Sequence, residues 1–181
     1  PENSNLQIIG SNAFQQTSIN EIYFPPNLKE LKEGWCCETN NLNKINISPF
    51  NNQFLLKEDK YLLGNIDQNS DNFDILLFAC RDIKEITIPS NIKIISSFAF
   101  EHCKNLTKVN ISTNSNLQII ESNAFSESRI KEIFIPSCVT KICKYAFSNC
   151  ENLTKVDIPI NSNLHTIGSN AFCFSGIKKL F

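Results

Sequence analysis

Val139-Thr140-Lys141-Ile142-Cys143-Lys144-Tyr145-Ala146-Phe147-Ser148-Asn149-Cys150-Glu151-Asn152-Leu153-Thr154-Lys155-Val156-Asp157-Ile158-Pro159 is the stretch on which the fold turns. Its first half, Ile142 to Ala146-Phe147, returns along the chain. It recurs at Ile9-Gly10-Ser11-Asn12-Ala13-Phe14, Ile95 to Ala99-Phe100, Ile120 to Ala124-Phe125 and Ile167-Gly168-Ser169-Asn170-Ala171-Phe172. Each copy leads into a second element of the form Leu/Ile-x-x-Ile/Val/Leu-x-apolar. A short unit repeated in this way specifies a solenoid, in which each unit buries its apolar face only against its neighbours. Such an architecture favours a broad binding surface over a catalytic cleft.

With the leading apolar residue as register, units begin at Leu6, Leu28, Ile92, Leu117, Val139 and Leu164. Steps of 22 and 25 residues alternate, so the second half repeats with a period of 47. The longer form carries Cys-x-Asn-Leu before its strand, as at Cys103-Lys104-Asn105-Leu106, and Asn114-Ser115-Asn116 after it. In Ile130-Lys131-Glu132-Ile133-Phe134-Ile135-Pro136, alternate residues from Ile133 are apolar, the pattern of a half-buried strand. Pro25, Pro89, Pro136 and Pro159 end such strands, because proline cannot donate a ladder hydrogen bond. Equivalent strands run the same way, which predicts a parallel sheet joined by right-handed crossovers. The Ala-Phe segment falls on the return path, where Ser11, Ser122 and Ser169 are expected to cap single helical or 3₁₀ turns.

Two irregularities interrupt the rhythm. From Leu42 to Ile83 is 41 residues, about 18 more than the step of about 23 residues between the other strands. The excess holds Tyr61–Ile66 and Phe73–Phe78, two apolar runs around a polar loop at 67–72, which predicts a β-hairpin inside an expanded repeat. In the unit that starts at Leu28, Trp35-Cys36 stands where Ala-Phe is expected. Large and small have traded places with volume roughly conserved, so Trp35 is expected to fill the space of the missing Phe.

A hydrophobic fraction of 41% supports a core, and a formal net charge of −1 argues against a nucleic-acid surface. No apolar stretch is long enough for a membrane-spanning helix, so no membrane insertion is expected of this segment. The opening Pro1-Glu2-Asn3-Ser4-Asn5 does not read as a signal peptide, and both ends lie within a repeat. The expectation is one repeat domain over 1–181, cut from a longer protein, with the hairpin-containing repeat at 50–82.

The composite pattern Leu-x-x-Ile-x-x-x-Ala-Phe-x-x-Cys-x-x-Leu-x-x-Val-x-Ile-Pro resembles the BspA-like class of leucine-rich repeats, also called the Treponema pallidum type. Residues 139–159 match it almost throughout. The resemblance implies a right-handed leucine-rich repeat solenoid, α/β to mainly β, with a parallel β-sheet on the concave face and short turns on the return side. It also implies a cell-surface or secreted antigen that adheres to host proteins. The abundance of Asn, Ile, Lys and Phe is compatible with an AT-rich genome such as that of a parasitic protist.

Eight cysteines invite a disulfide or metal reading. Cys80, Cys103 and Cys150 occupy equivalent places in their repeats and read as small buried apolar residues. Cys36, Cys37, Cys138, Cys143 and Cys173 are irregular, and a Cys138–Cys143 bridge across one turn is left open. With no Cys-x-x-Cys, neither a zinc site nor any other metal or cofactor is expected. His102 and His165 have no partners at catalytic spacing and read as solvated. Asn46, Asn105, Asn110 and Asn152 open Asn-x-Ser/Thr sequons, glycan acceptors if the protein is secreted by a eukaryote.

The outward positions of the strands carry the functional expectation. They are Glu21/Tyr23, Lys44/Asn46, Glu85/Thr87, Lys108/Asn110, Glu132/Phe134, Lys155/Asp157 and Lys179/Phe181. The first column alternates acid and base until Lys179, so opposite charges should meet between strands about 4.8 Å apart. That ladder also serves solubility and register alone, each exposed pair contributing at most about 1 kcal/mol. In the second column, Tyr23, Phe134 and Phe181 set aromatics on an open face, where contact hot spots are often built. The sequence therefore reads as a non-enzymatic recognition or adhesion module that binds a protein or glycan on the strand face. A structural spacer and an intracellular scaffold are the alternatives.

Overall fold

The computed structural model describes residues 3–67 and 70–178. Lys179 and Phe181, the last pair of the outward columns, lie outside the described residues. Fifteen short strands occur among those described and no helix. They are β1 (Ile8–Ile9), β2 (Glu21–Phe24), β3 (Glu30–Leu31), β4 (Lys44–Ile47), β5 (Leu55–Lys57), β6 (Tyr61–Gly64), β7 (Ile75–Ala79), β8 (Glu85–Ile88), β9 (Ile94–Ile95), β10 (Lys108–Ile111), β11 (Ile119–Ile120), β12 (Glu132–Phe134), β13 (Lys141–Ile142), β14 (Lys155–Asp157) and β15 (Thr166–Ile167). They form two faces of a mainly β solenoid. The strand face carries the expected Ile-x-Ile strands, paired in parallel as β2–β4, β8–β10 and β12–β14. The return face carries β1–β3 and a seven-stranded sheet in the order β15-β13-β11-β9-β7-β6-β5.

The return path is built from extended pairs and turns, correcting the expectation of capped helical turns. Each Ala-Phe segment is bracketed by two residues of positive φ four positions apart. The brackets are Asn12 and Gln16, Gly34 and Glu38, Phe98 and His102, Asn123 and Glu127, Tyr145 and Asn149, and Asn170 and Phe174, with φ between 53° and 70°. A left-handed residue at each end stops the helical path and turns the peptide groups between them toward the neighbouring coils. Phe100 N–H thus reaches Ala124 O at 2.7 Å, Phe125 N–H reaches Ala146 O at 2.8 Å and Phe147 N–H reaches Ala171 O at 2.7 Å. The hydroxyls of Ser11, Ser122 and Ser169 cap nothing among the described residues. The coil-to-coil ladder satisfies the turns in their place.

Inside, the repeated side chains stack. Phe100, Phe125, Phe147 and Phe172 lie face to face with centroids 4.8, 5.1 and 5.2 Å apart and planes within 4°. Ala99, Ala124 and Ala146 are fully buried beside them, as are the leading residues Leu28, Ile92, Leu117 and Val139. Gly34 takes the first left-handed position, which fixes Trp35-Cys36 at the Ala-Phe place. Trp35 is buried and packs edge-on against Phe14 and Phe24, with Phe78 tilted 5.6 Å away.

The expected hairpin is present and belongs to a three-stranded meander. β6 pairs antiparallel with β7 and, on its other side, with β5. β7 also pairs in parallel with β9, Ile75 against Ile94, so the insertion enters the solenoid by lengthening one return strand. That coil carries no bracketed Ala-Phe turn: β7 runs directly into Cys80 and Arg81. The turns on either side therefore face each other across a seam, and Arg81, 3% exposed, fills it. Its guanidinium donates to Thr39 O and Cys36 O on one side, at 3.3 and 3.4 Å, and to Phe98 O and Ala99 O on the other, at 3.3 and 3.2 Å. The cation also lies 4.5 Å from the centre of the Phe78 ring.

Glu101 completes this seam. It is buried, and its Oε2 accepts the Glu38 N–H at 2.7 Å. Burial raises its carboxyl to about 7, against the opposing pull of that hydrogen bond and of Arg81. The folded chain thus holds the proton more tightly than the unfolded chain does. Glu101 is expected to make stability fall as pH rises from about 4.5 to about 7. Glu101→Gln keeps an acceptor and removes the titration. Urea midpoints across that window should decline for the parent chain and flatten for the variant; parallel profiles would contradict this placement of Glu101.

Candidate ligand-binding face

On the strand face, the register brings acid opposite base as the sequence predicts: Glu21 with Lys44, Glu85 with Lys108, and Glu132 with Lys155. One of the three closes as an ion pair among the described residues. Lys44 Nζ lies 2.7 Å from Glu21 Oε1, and the Asn46 amide donates to the same oxygen at 2.5 Å. These bonds hold the Glu21 carboxyl below its ordinary value, Lys44 contributing most. Glu21, Lys44 and Asn46 are thus satisfied by one another, with Tyr23, 37% exposed, beside them.

The other candidates form a different surface. Lys108 and Asn110 on β10, Glu132 and Phe134 on β12, and Lys155 and Asp157 on β14 line one shallow groove of about 260 Å³. It sits where the sheet is interrupted, since no ladder pairing joins β10 to β12 among the described residues. Lys131 O accepts from Thr154 N–H and Ile135 N–H donates to Asp157 O, so alternate β12 residues face β14. By the alternation of a strand, the peptide groups of Glu132 and Phe134 face β10 and open into the groove. The break coincides with the longer repeat form, whose extra Asn114-Ser115-Asn116 comes after β10. Phe134 is half-buried in the middle of this groove, and Lys155 comes no closer than 3.9 Å to Asp157. The predicted aromatic column is therefore two separate places: Tyr23 in the satisfied patch and Phe134 in the open groove.

The remaining sequence candidates separate by environment. Asn46 and Asn110 are half-buried within strands, Asn110 donating to the Thr87 hydroxyl at 3.4 Å, whereas Asn105 and Asn152 are exposed in turns. All eight cysteines, including Cys138 and Cys143, are free thiols. Burial pushes Cys36 and Cys37 up to about 12, and Cys80 and Cys150 to about 11, so these thiols are held protonated and unreactive. His165 is exposed, but His102 is not the solvated side chain expected. Its side chain is 11% exposed with Nδ1 3.0 Å from Glu127 Oε2, without hydrogen-bond alignment. Burial lowers its pKa and Glu127 opposes the shift. Arg81 and Glu101 were not singled out from sequence, although the missing Ala-Phe before Arg81 marks the place. Among the described residues no group of His, Cys, Asp and Glu is arranged to hold a metal ion, and no helix is long and apolar enough to cross a membrane.

Stacked coils, a parallel strand face and consensus core positions define a leucine-rich-repeat β-solenoid. The chain belongs to the BspA type leucine rich repeat family, whose model matches six copies over residues 2–57 and 74–181 and passes over part of the hairpin. No curated protein sequence matches it. Three solved structures share the fold. The pneumococcal vaccine antigen PcpA is 18% identical with a TM-score of 0.71, over 93% of this chain and 47% of that one. A leucine-rich repeat protein from Eubacterium ventriosum is 21% identical with a TM-score of 0.56, over 97% of this chain and 64% of that one. A leucine-rich cell surface protein from Faecalibacterium prausnitzii is 20% identical with a TM-score of 0.54, over 84% and 51%. The chain thus spans less than two thirds of each of these structures.

The Glu21–Lys44 pair is directly testable by carboxyl-detected NMR titration. Lys44→Met should move the Glu21 titration up toward 4.5, its ordinary value. An unmoved Glu21 would show that the pair does not close in solution.

Proposed function

We propose that the chain is a non-catalytic protein-recognition module of a surface or secreted protein, and that the groove between β10 and β14 is where its ligand sits. The observation that carries this reading is the coincidence, at one break in the sheet, of Phe134, open backbone groups and exposed charges of which Lys155 and Asp157 pair only at 3.9 Å. Half-buried aromatic anchors ringed by polar groups are the usual form of a contact hot spot. Lys108, Glu132, Lys155 and Asp157 present both signs within a few strand spacings, which suits a protein surface of mixed charge better than a polyanion. Membership of the repeat family supports protein recognition, and the surface location given for the Faecalibacterium protein supports exposure outside the cell.

Adhesion to a panel of immobilised extracellular proteins and glycans tests the proposal. Phe134→Ala should weaken binding about tenfold or more while the unfolding midpoint stays near that of the parent. Tyr23→Ala, in the internally satisfied patch, should have a smaller effect. Equal binding by Phe134→Ala and the parent would move the site off this groove.

A further inference from the structure

The return face has a break of its own. Among the described residues β3 pairs with β1 alone, while β7 pairs with β6 and β9, so the edge of β3 toward the hairpin carries no ladder there. A groove runs along that break. Two hollows of about 340 and 190 Å³ share Leu31, Ile75 and Leu77, three half-buried apolar side chains, and Trp35 lies at the floor of the larger. Gly64 keeps this floor in place, since a Cβ there would stand 2.6 Å from Leu77 Cδ1.

One end of the groove is acidic in a way its own residues do not resolve. Glu33 and Glu121 come from different coils and converge on Ser97. Glu121 Oε2 accepts the Ser97 N–H at 2.9 Å and lies 3.4 Å from its hydroxyl, while Glu33 Oε1 lies 3.2 Å from the same hydroxyl. A serine has one hydroxyl proton, so it cannot donate to both carboxylates at once. Among the described residues neither carboxylate has an ion-pair partner; Lys32 at the rim is held by Glu30 at 2.6 Å, and Lys29 lies at the opposite end.

We propose that this return-face groove docks an extended peptide segment of a protein partner. An apolar side chain of the segment rests on Leu31, Ile75 and Leu77, and a lysine or arginine beside it reaches Glu33 and Glu121. The open edge of β3 supplies main-chain partners, the apolar floor supplies burial, and the paired carboxylates supply charge complementarity at one end. The site is separate from the strand-face groove and stands or falls independently of it.

Trp35, the chain's single tryptophan, reports on this groove. The probe is a short acetylated and amidated peptide alternating leucine and lysine, with its leucine–glutamate counterpart as control. The lysine peptide should change Trp35 emission saturably and the glutamate peptide should not. The double variant Glu33→Gln/Glu121→Gln should bind about tenfold more weakly or worse, as should Leu77→Ser. If Leu77→Ser does not fold, the double variant decides alone. Phe50→Ser, which removes an exposed apolar side chain elsewhere, should bind as the parent does. Equal response to both peptides, an unaffected double variant, or self-association of the chain through this face in sedimentation would overturn the proposal.

Discussion

Everything in this molecule depends on the pair of left-handed residues that brackets each Ala-Phe segment. Without them the segment would continue into a helical turn and satisfy its peptide groups internally. With them, Phe100, Phe125 and Phe147 point their N–H groups at the next coil, which fixes the spacing of the coils. That spacing, centroid to centroid about 5 Å, also lets the phenylalanines stack face to face in the interior. Ladder and stack reinforce each other, because a coil displaced from one loses the other. Gly and Asn accept the left-handed conformation with least strain, but Gln16, Phe98 and Tyr145 adopt it too. The ladder thus over-determines the turn even where the residue is unfavourable.

The hairpin coil shows the consequence of losing that turn. Of the ladder across this coil the Ala79 N–H to Ala99 O bond remains, at 2.9 Å, and a buried cation bridges the two turns in place of the rest. Arginine suits this place because its planar fork reaches several carbonyls at once and stays charged under all ordinary conditions. Glu101 brings a nearby acceptor for the stranded Glu38 N–H, at the cost of a carboxyl raised by burial. The insertion is integrated into the solenoid through a polar seam, and the apolar core resumes on either side of it.

Much of this was legible in the sequence. The period, the stacked core positions, the charge register of Glu21 with Lys44 and the hairpin all derive from residues that repeat, or from the place where they stop repeating. The features that were not legible depend on contacts between coils. The return strands β9, β11, β13 and β15 are two residues long, too short to show alternation, so the return face read as capped turns. His102 read as solvated, and Arg81 carried no sign of burial, because both are covered only where a turn is absent in a neighbouring coil. The aromatic column read as continuous because spacing along the chain does not reveal that β10 and β12 fail to pair.

That failure to pair is the central claim about the strand face, since it turns a stabilising surface into a groove with open peptide groups. Amide hydrogen exchange resolved to single residues tests it most directly. The Glu132 and Phe134 amides, which face the break, should exchange quickly in the free protein. Those of Ile133 and Ile135, which face β14, should be protected. Equal protection of all four would show a continuous sheet at this place and would contradict the account.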